Sequence, residues 1–127
     1  MKALVFTDKE TLTYKDEVDP IEQEGQTLIK VSATGICGSD MHAYHGQDDR
    51  RIPPLILGHE ISGIDVKNNQ AVVINPLITC NICKECTTGH EHLCQKRGLL
   101  GMTKPINRPG GFADFIMVPK NLSLIHI

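Results

Sequence analysis

The sequence predicts a mainly β domain with irregular loops, and three observations carry that prediction. Short runs of β-branched and apolar residues recur along the chain, and the residues between them are Gly, Pro, Asn and Asp, the types that tight turns require. At least one run alternates apolar with polar side chains in the period-two manner of a half-buried strand. No stretch keeps a helical apolar period long enough for an extended amphipathic helix. With 127 residues there is enough chain for one domain with a core and too little to expect two, so 1–127 reads as one unit.

Lys2 to Phe6 and Thr11 to Tyr14, separated by Asp8-Lys9-Glu10, predict a hairpin. Pro20 and Gly25 mark a loop. From Thr27 to Ala33, Ile29, Val31 and Ala33 alternate with Lys30 and Ser32, which predicts a strand with one apolar face that delivers the chain to Gly35 and Cys37. Ser39 or Asp40 then caps a short helical turn through Met41, Ala43 and Tyr44, ended by Gly46. Gln47 to Arg51 is polar, and Asp48, Asp49, Arg50 and Arg51 read as an exposed charged loop. Pro53-Pro54 forces an extended approach to Leu55, Ile56 and Leu57.

Ile61 to Val66 and Ala71 to Ile74 predict a second hairpin around Lys67-Asn68-Asn69-Gln70, because Asn tolerates the positive φ of a tight turn. A lobe from about Thr79 to Lys96 has little periodicity. Gly98 to Arg108 reads as loop, Gly110-Gly111 breaks it, and Phe112 to Pro119 is the last strand.

Composition narrows the function. The chain is 40% hydrophobic and 22% charged, away from the corner where chains stay disordered, and its formal charge of −2 with scattered Lys and Arg predicts no nucleic-acid partner. The longest apolar runs, such as Ala3 to Phe6 and Leu55 to Leu57, fall far below the ~18 residues of a membrane helix, so no membrane partner is expected. The N-terminal run is also shorter than a signal-peptide core of roughly 7–15 residues. The expectation is a reducing cytoplasm, where clustered cysteines read as metal ligands rather than disulfides.

Two clusters carry chemistry. Gly35-Ile-Cys37-Gly-Ser39-Asp40-Met-His42 and Gly58-His59-Glu60 bring one thiol, two imidazoles, a hydroxyl and two carboxylates toward one point. Zinc takes thiolate, imidazole and carboxylate, and a catalytic zinc keeps three protein ligands with one open position, which makes Cys37 and His59 the first ligand candidates. In Cys80-x-x-Cys83-x-x-Cys86-x7-Cys94 there are four thiols, the number that closes a tetrahedral structural site, and all five cysteines are then assigned to metal. A lobe with almost no core of its own cannot offset its ordering entropy, so zinc there is folding energy. A thioredoxin-type reading of Cys80 and Cys83 lacks a βαβ context. His90 and His92 read as solvated, since four thiolates already saturate the ion.

With these motifs in order, the chain resembles the N-terminal part of the zinc-dependent medium-chain dehydrogenases, the family of alcohol, sorbitol, threonine and galactitol-1-phosphate dehydrogenases. The resemblance runs from Met1-Lys-Ala-Leu-Val to Gly110-Gly111-Phe112-Ala113-Asp114-Phe115. It implies a GroES-like partly open β-barrel that carries the catalytic zinc, followed in the family by a Rossmann domain that binds NAD or NADP. No strand followed by G-x-G-x-x-G occurs here, so the Rossmann part is not in this chain and the sequence reads as a fragment, incomplete at its C-terminus and inactive by itself. Leu122-Ser-Leu-Ile-His-Ile127 reads as a translated sequencing-library adapter, or else as a β segment continued through Leu122 and Ile125. Between Gly63 and Asn75 the chain is shorter than many relatives, which puts the hairpin length at issue.

By the same resemblance Cys37 and His59 are catalytic-zinc ligands and Glu60 is a third or exchangeable one. Ser39 is placed like the relay hydroxyl and His42 like the imidazole that passes the proton to solvent. Asp40 is a candidate to orient a ligand, and Tyr44 and His45 are candidates to line a substrate pocket. The implied activity is oxidation of a small-molecule secondary alcohol, with the Gly-Ser-Asp-Met-His and Ile-Leu-Gly-His-Glu forms closer to the polyol and sugar-phosphate branch, in a homo-oligomeric full-length enzyme. Two other readings are a stand-alone zinc module for protein contact, which has no need of a relay, and a zinc-free quinone or enoyl reductase relative, which lacks the cysteine lobe.

Overall fold

The structure is a computed structural model and describes residues 1–125; His126 and Ile127, and with them the end of the adapter-like segment, lie outside the described residues. Strands β1 (Lys2–Asp8) and β2 (Thr11–Asp16) form the expected antiparallel hairpin, with Glu10 at φ 55 in its turn. β3 (Gln26–Gly35) is the long central strand, and α1 (Gly38–Tyr44) follows it and ends at Gly46, where φ is 70. β4 (Leu55–Ile56) pairs with β1, while β5 (Glu60–Asp65) and β6 (Gln70–Ile74) form the second hairpin, whose turn holds Asn69 at φ 54. β7 (Leu77–Ile78) leads into α2 (Lys84–Thr87) and a 3-10 turn (Glu91–Leu93), and β8 (Gly98–Leu99) returns to pair with β7. β9 (Phe115–Pro119), a 3-10 turn (Lys120–Leu122) and β10 (Ser123–Ile125) complete the described chain. No helix among the described residues is long and apolar enough to cross a membrane.

The strands fall into a five-stranded sheet ordered β10-β6-β5-β3-β9, a three-stranded sheet β2-β1-β4 and the small β7-β8 pair. Phe112 to Asp114 stitches the two larger sheets together. The Leu4 amide donates to the Phe112 carbonyl at 2.8 Å, the Asp114 amide to the Lys2 carbonyl at 2.9 Å, and the Val31 amide to the Asp114 carbonyl at 2.9 Å. The result is a partly open β-barrel with a loop lobe, as the resemblance implies.

Alternation explains the core. Ile61 on β5, Val72 and Ile74 on β6, and Ile116 and Val118 on β9 turn to one side of the large sheet and meet Ile29, Leu100 and Leu122. A second cluster of Phe6, Ala43, Leu55 and Leu57, covered by Phe112, packs α1 against β1 and β4. Each large side chain among them contributes roughly 1.5–3 kcal/mol by leaving water.

Four expectations are corrected. The apolar face of β3 holds at Ile29, which is buried, and at Val31, which packs half-buried against the core, but not at Ala33, which is exposed beyond a register slip between Val31 and Ala33. Gly98 to Arg108 is not loop throughout, since β8 pairs with β7 and Met102 bridges Arg108. The last long strand starts at Phe115 rather than Phe112. The charged loop is not wholly exposed: Arg51 is 2% exposed, donates to the Gly101 carbonyl at 3.1 Å and pairs with Asp48. That pairing neutralises a cation that could not otherwise be taken out of water.

Candidate metal centres

The end of β3 and the start of β5 are neighbours in the sheet, with Gly35 opposite Glu60. That register sets Cys37, two residues past Gly35, beside His59 and Glu60, and one donor atom from each of the three lies within 4.8 Å of the others. Cys37 itself is the cap of α1, at φ −85 and ψ 155, where Ser39 or Asp40 was expected. The reason is Asp40. As the third helical residue it reaches back and accepts the Cys37 amide at 2.9 Å, so the cap is closed from inside the helix.

Asp40 is 3% exposed and serves three groups. Besides the Cys37 amide, it accepts from the Gly58 amide at 3.3 Å, and its Oδ1 stands 3.6 Å from Nδ1 of His59. Burial pushes the Asp40 carboxyl up, but His59 and the two amides outweigh it and hold it below its usual value. His59 is raised, with Asp40 the first cause, and the Cys37 thiol is lowered, chiefly by the Ser39 backbone amide and then by the Ser39 hydroxyl and His59. Nδ1 of His59 is buried without a hydrogen-bond partner.

Gly58 lets the chain pass here. Its φ of 93 is in the left-handed region, and a Cβ would lie 2.5 Å from the Phe112 ring. The ring therefore seats directly on the backbone that carries His59.

Ser39 and His42 lie one helical turn apart on α1 and share a cleft of about 380 Å³ with Gln47, Asp48 and Arg50. Tyr44 lines a different groove, of about 860 Å³, together with Met41 and Ile36. His45 instead meets Glu10 at 3.2 Å.

The second cluster closes in the lobe. Cys83 caps α2, Cys86 lies within it, and Cys94 follows the 3-10 turn; the four Sγ atoms of Cys80, Cys83, Cys86 and Cys94 are within 4.8 Å of one another. Cys94 is the one buried residue between 79 and 96. Backbone amides of Ile82 and Cys83 pull the Cys80 thiol down to about 6. The Cys86 amide pulls Cys83 the same way, but burial and the neighbouring sulfurs win and push it up to about 12. Four thiolates cannot share so small a volume without a cation. Both donor sets fit zinc: a closed four-sulfur site, and an open sulfur, nitrogen and oxygen set whose histidine is buried. His90 and His92 are exposed, as expected.

The spacing of Asp48 and Arg51, three residues apart, was a signal that those two side chains can pair, but it did not point to the burial of the arginine. Nothing in the sequence pointed to the contact of Phe112 with Gly58.

The family model described as alcohol dehydrogenase GroES-like domain matches residues 23–127. L-galactonate-5-dehydrogenase of Escherichia coli (strain K12) is 33% identical over 128 residues, covering 94% of this chain and 36% of that protein. The crystal structure of galactitol-1-phosphate dehydrogenase from Escherichia coli superposes with a TM-score of 0.88 at 28% identity, over 100% of this chain and 38% of the other. A cobalt- and zinc-bound thermostable alcohol dehydrogenase from Pyrobaculum aerophilum gives 0.87 at 25% identity, over 98% and 41%. The chain thus spans little more than a third of the length of the relatives it matches.

Proposed function

The chain belongs to the alcohol dehydrogenase GroES-like domain family, and on that premise we propose that it forms the zinc-carrying N-terminal part of a dehydrogenase that oxidises a secondary alcohol with NAD or NADP. A sugar alcohol or its phosphate is the favoured substrate class. The observation that carries the reading is the meeting of Cys37, His59 and Glu60 within 4.8 Å, beside a buried Asp40 that faces the histidine.

Cys37, His59 and Glu60 would hold the catalytic ion, and Cys80, Cys83, Cys86 and Cys94 the structural one. When bound, the catalytic zinc supplies Lewis-acid polarisation of an alcohol oxygen, which makes its proton acidic near neutral pH. The chain's own residues then handle that proton. Ser39 Oγ can accept one hydrogen bond while donating another, and His42, at the same cleft one turn further along α1, takes the proton on to solvent. Asp40 holds the imidazole of His59 in one orientation, so that a lone pair is kept for the metal. A nicotinamide is needed to accept the hydride, and these residues contain no glycine-rich phosphate loop to hold one, so the 127-residue chain turns over no alcohol by itself.

A stand-alone zinc module would account for the cysteine lobe but not for Asp40 against His59, nor for Ser39 and His42 sharing a cleft on α1. The test is zinc content per chain, by elemental analysis, for the parent, Cys37→Ala and Cys83→Ala. Two ions in the parent and one in each variant are expected. One ion lost only with Cys83→Ala would leave the module reading standing, and none under reducing conditions would end both.

A further inference from the structure

Gly35 has an ordinary strand conformation: its φ is not in the left-handed region, and it stands in register opposite Glu60 at the end of β3. Backbone freedom is therefore not what this position needs from glycine. Space is. A Cβ on Gly35 would come well inside 3.0 Å of Oε2 of Glu60, and would lie 3.1 Å from its Cβ and 3.2 Å from its Cδ. Real Cβ atoms essentially never approach another atom below 3.0 Å.

Glu60 is exposed, and a long exposed carboxylate ordinarily keeps its rotamer freedom and its water. Here it lies flat across the β3 backbone instead, with a donor oxygen in reach of the Cys37 sulfur and the His59 ring. The α-carbon of Gly35 is the floor on which it rests. We infer that Gly35 is a positioning residue for the metal centre, the missing side chain being what admits the Glu60 carboxylate to the point shared with Cys37 and His59. A side chain at 35 collides with Oε2 and shifts the whole Glu60 carboxylate away from the point it shares with the other two donors. The obstruction is the far end of a flexible side chain, so Gly35→Ala displaces the carboxylate and leaves the strand pairing in place.

This inference rests on the proposed metal reading, and cobalt(II) titration of the metal-free full chain separates the two. The signal of this site is the thiolate-to-cobalt charge-transfer and ligand-field absorption that Cys37→Ala lacks. Gly35→Ala is expected to lower cobalt affinity by about tenfold or more, with the altered ligand-field spectrum that Glu60→Ala also shows. Gly35→Ala combined with Glu60→Ala is expected to bind no more weakly than Glu60→Ala alone, because one change acts through the other. A parental spectrum and affinity in Gly35→Ala would overturn the inference, as would a double variant whose loss is the product of the two single losses. If Gly35→Ala does not fold, recovery of folding in the double variant supports the clash with Glu60, and failure of both overturns it. A parent with no Cys37-dependent signal would instead overturn the metal reading beneath it.

Discussion

Oδ1 of Asp40 stands 3.6 Å from Nδ1 of His59, with both side chains withdrawn from solvent, and the other oxygen of the same carboxylate is fastened to the Cys37 amide. One buried carboxylate thus ties the orientation of two metal-ligand candidates that are 22 residues apart, from Cys37 to His59 (59 − 37 = 22).

Asp40→Asn preserves the volume and one acceptor but removes the charge facing His59. Zinc affinity should fall by roughly 10–100-fold, with the fold retained. Competition against a chelator of known affinity measures this, and an unchanged constant would show that His59 is oriented by packing alone.

Asp48 gives a pH dependence whose sign can be worked out. Burial pushes its carboxyl up, but the hydrogen bonds from Arg50 and Arg51 prevail and bring it from 3.8 down to about 2. A carboxyl depressed in the folded state stabilises above its unfolded value and loses that contribution as pH falls toward the folded one. Between about pH 5 and pH 2 the loss is ~2 kcal/mol, since each tenfold difference in proton affinity between the folded and unfolded chain is worth ~1.4 kcal/mol. Asp48→Asn leaves Arg51 buried without its charge partner and should cost about 3 kcal/mol near neutrality. Urea unfolding of the two proteins across this range should show the gap narrowing; a constant gap would mean that the pair does not set the acid limit.

Removal of metal should open the cysteine lobe first. Only Cys94 is buried between 79 and 96, so little besides the ion holds α2 and the following turn. Trypsin should cut at Lys84 and Lys96 far faster in the presence of chelator, while the sheet segments stay protected. Equal rates with and without chelator would count against a structural ion.

Ile29→Ala tests the core apart from the metal. Ile29 is fully buried among β3, β5 and β9, and its truncation should cost about 2–5 kcal/mol. Zinc content should stay at the parental value, and a coupled loss of metal would show that the sheet and the site melt together.

Much of this arrangement was legible in the sequence wherever the cause is local. The two hairpins show because Asn69 and the Glu10 turn sit between β-prone runs, and both donor clusters show because metal ligation needs particular side chains at close spacing. The parts that were not legible depend on residues far away in the chain. Cys37 caps α1 because Asp40 is held from behind by Gly58; Arg51 is buried because Gly101 offers a carbonyl; β7 becomes a strand only where β8 returns to it. Periodicity cannot report such partners. The contact of Glu60 with Gly35 is of the same kind, since it depends on the register of the opposite strand.

The seam between the sheets bears on the speed of folding. The Lys2 amide donates to the Asp114 carboxylate across 112 positions, and Phe112 is the lid over Phe6 and Leu57. Loop closure of that length has to precede the contacts that reward it, which is the hallmark of slow, high-contact-order folding. At a synthesis rate of roughly 5–20 residues per second, the first hairpin waits on the order of 5–20 s for its closing segment. During that interval Phe6 has Ala43, Leu55 and Leu57 to pack against but lacks Phe112, so its cluster closes only when the last part of the domain is made.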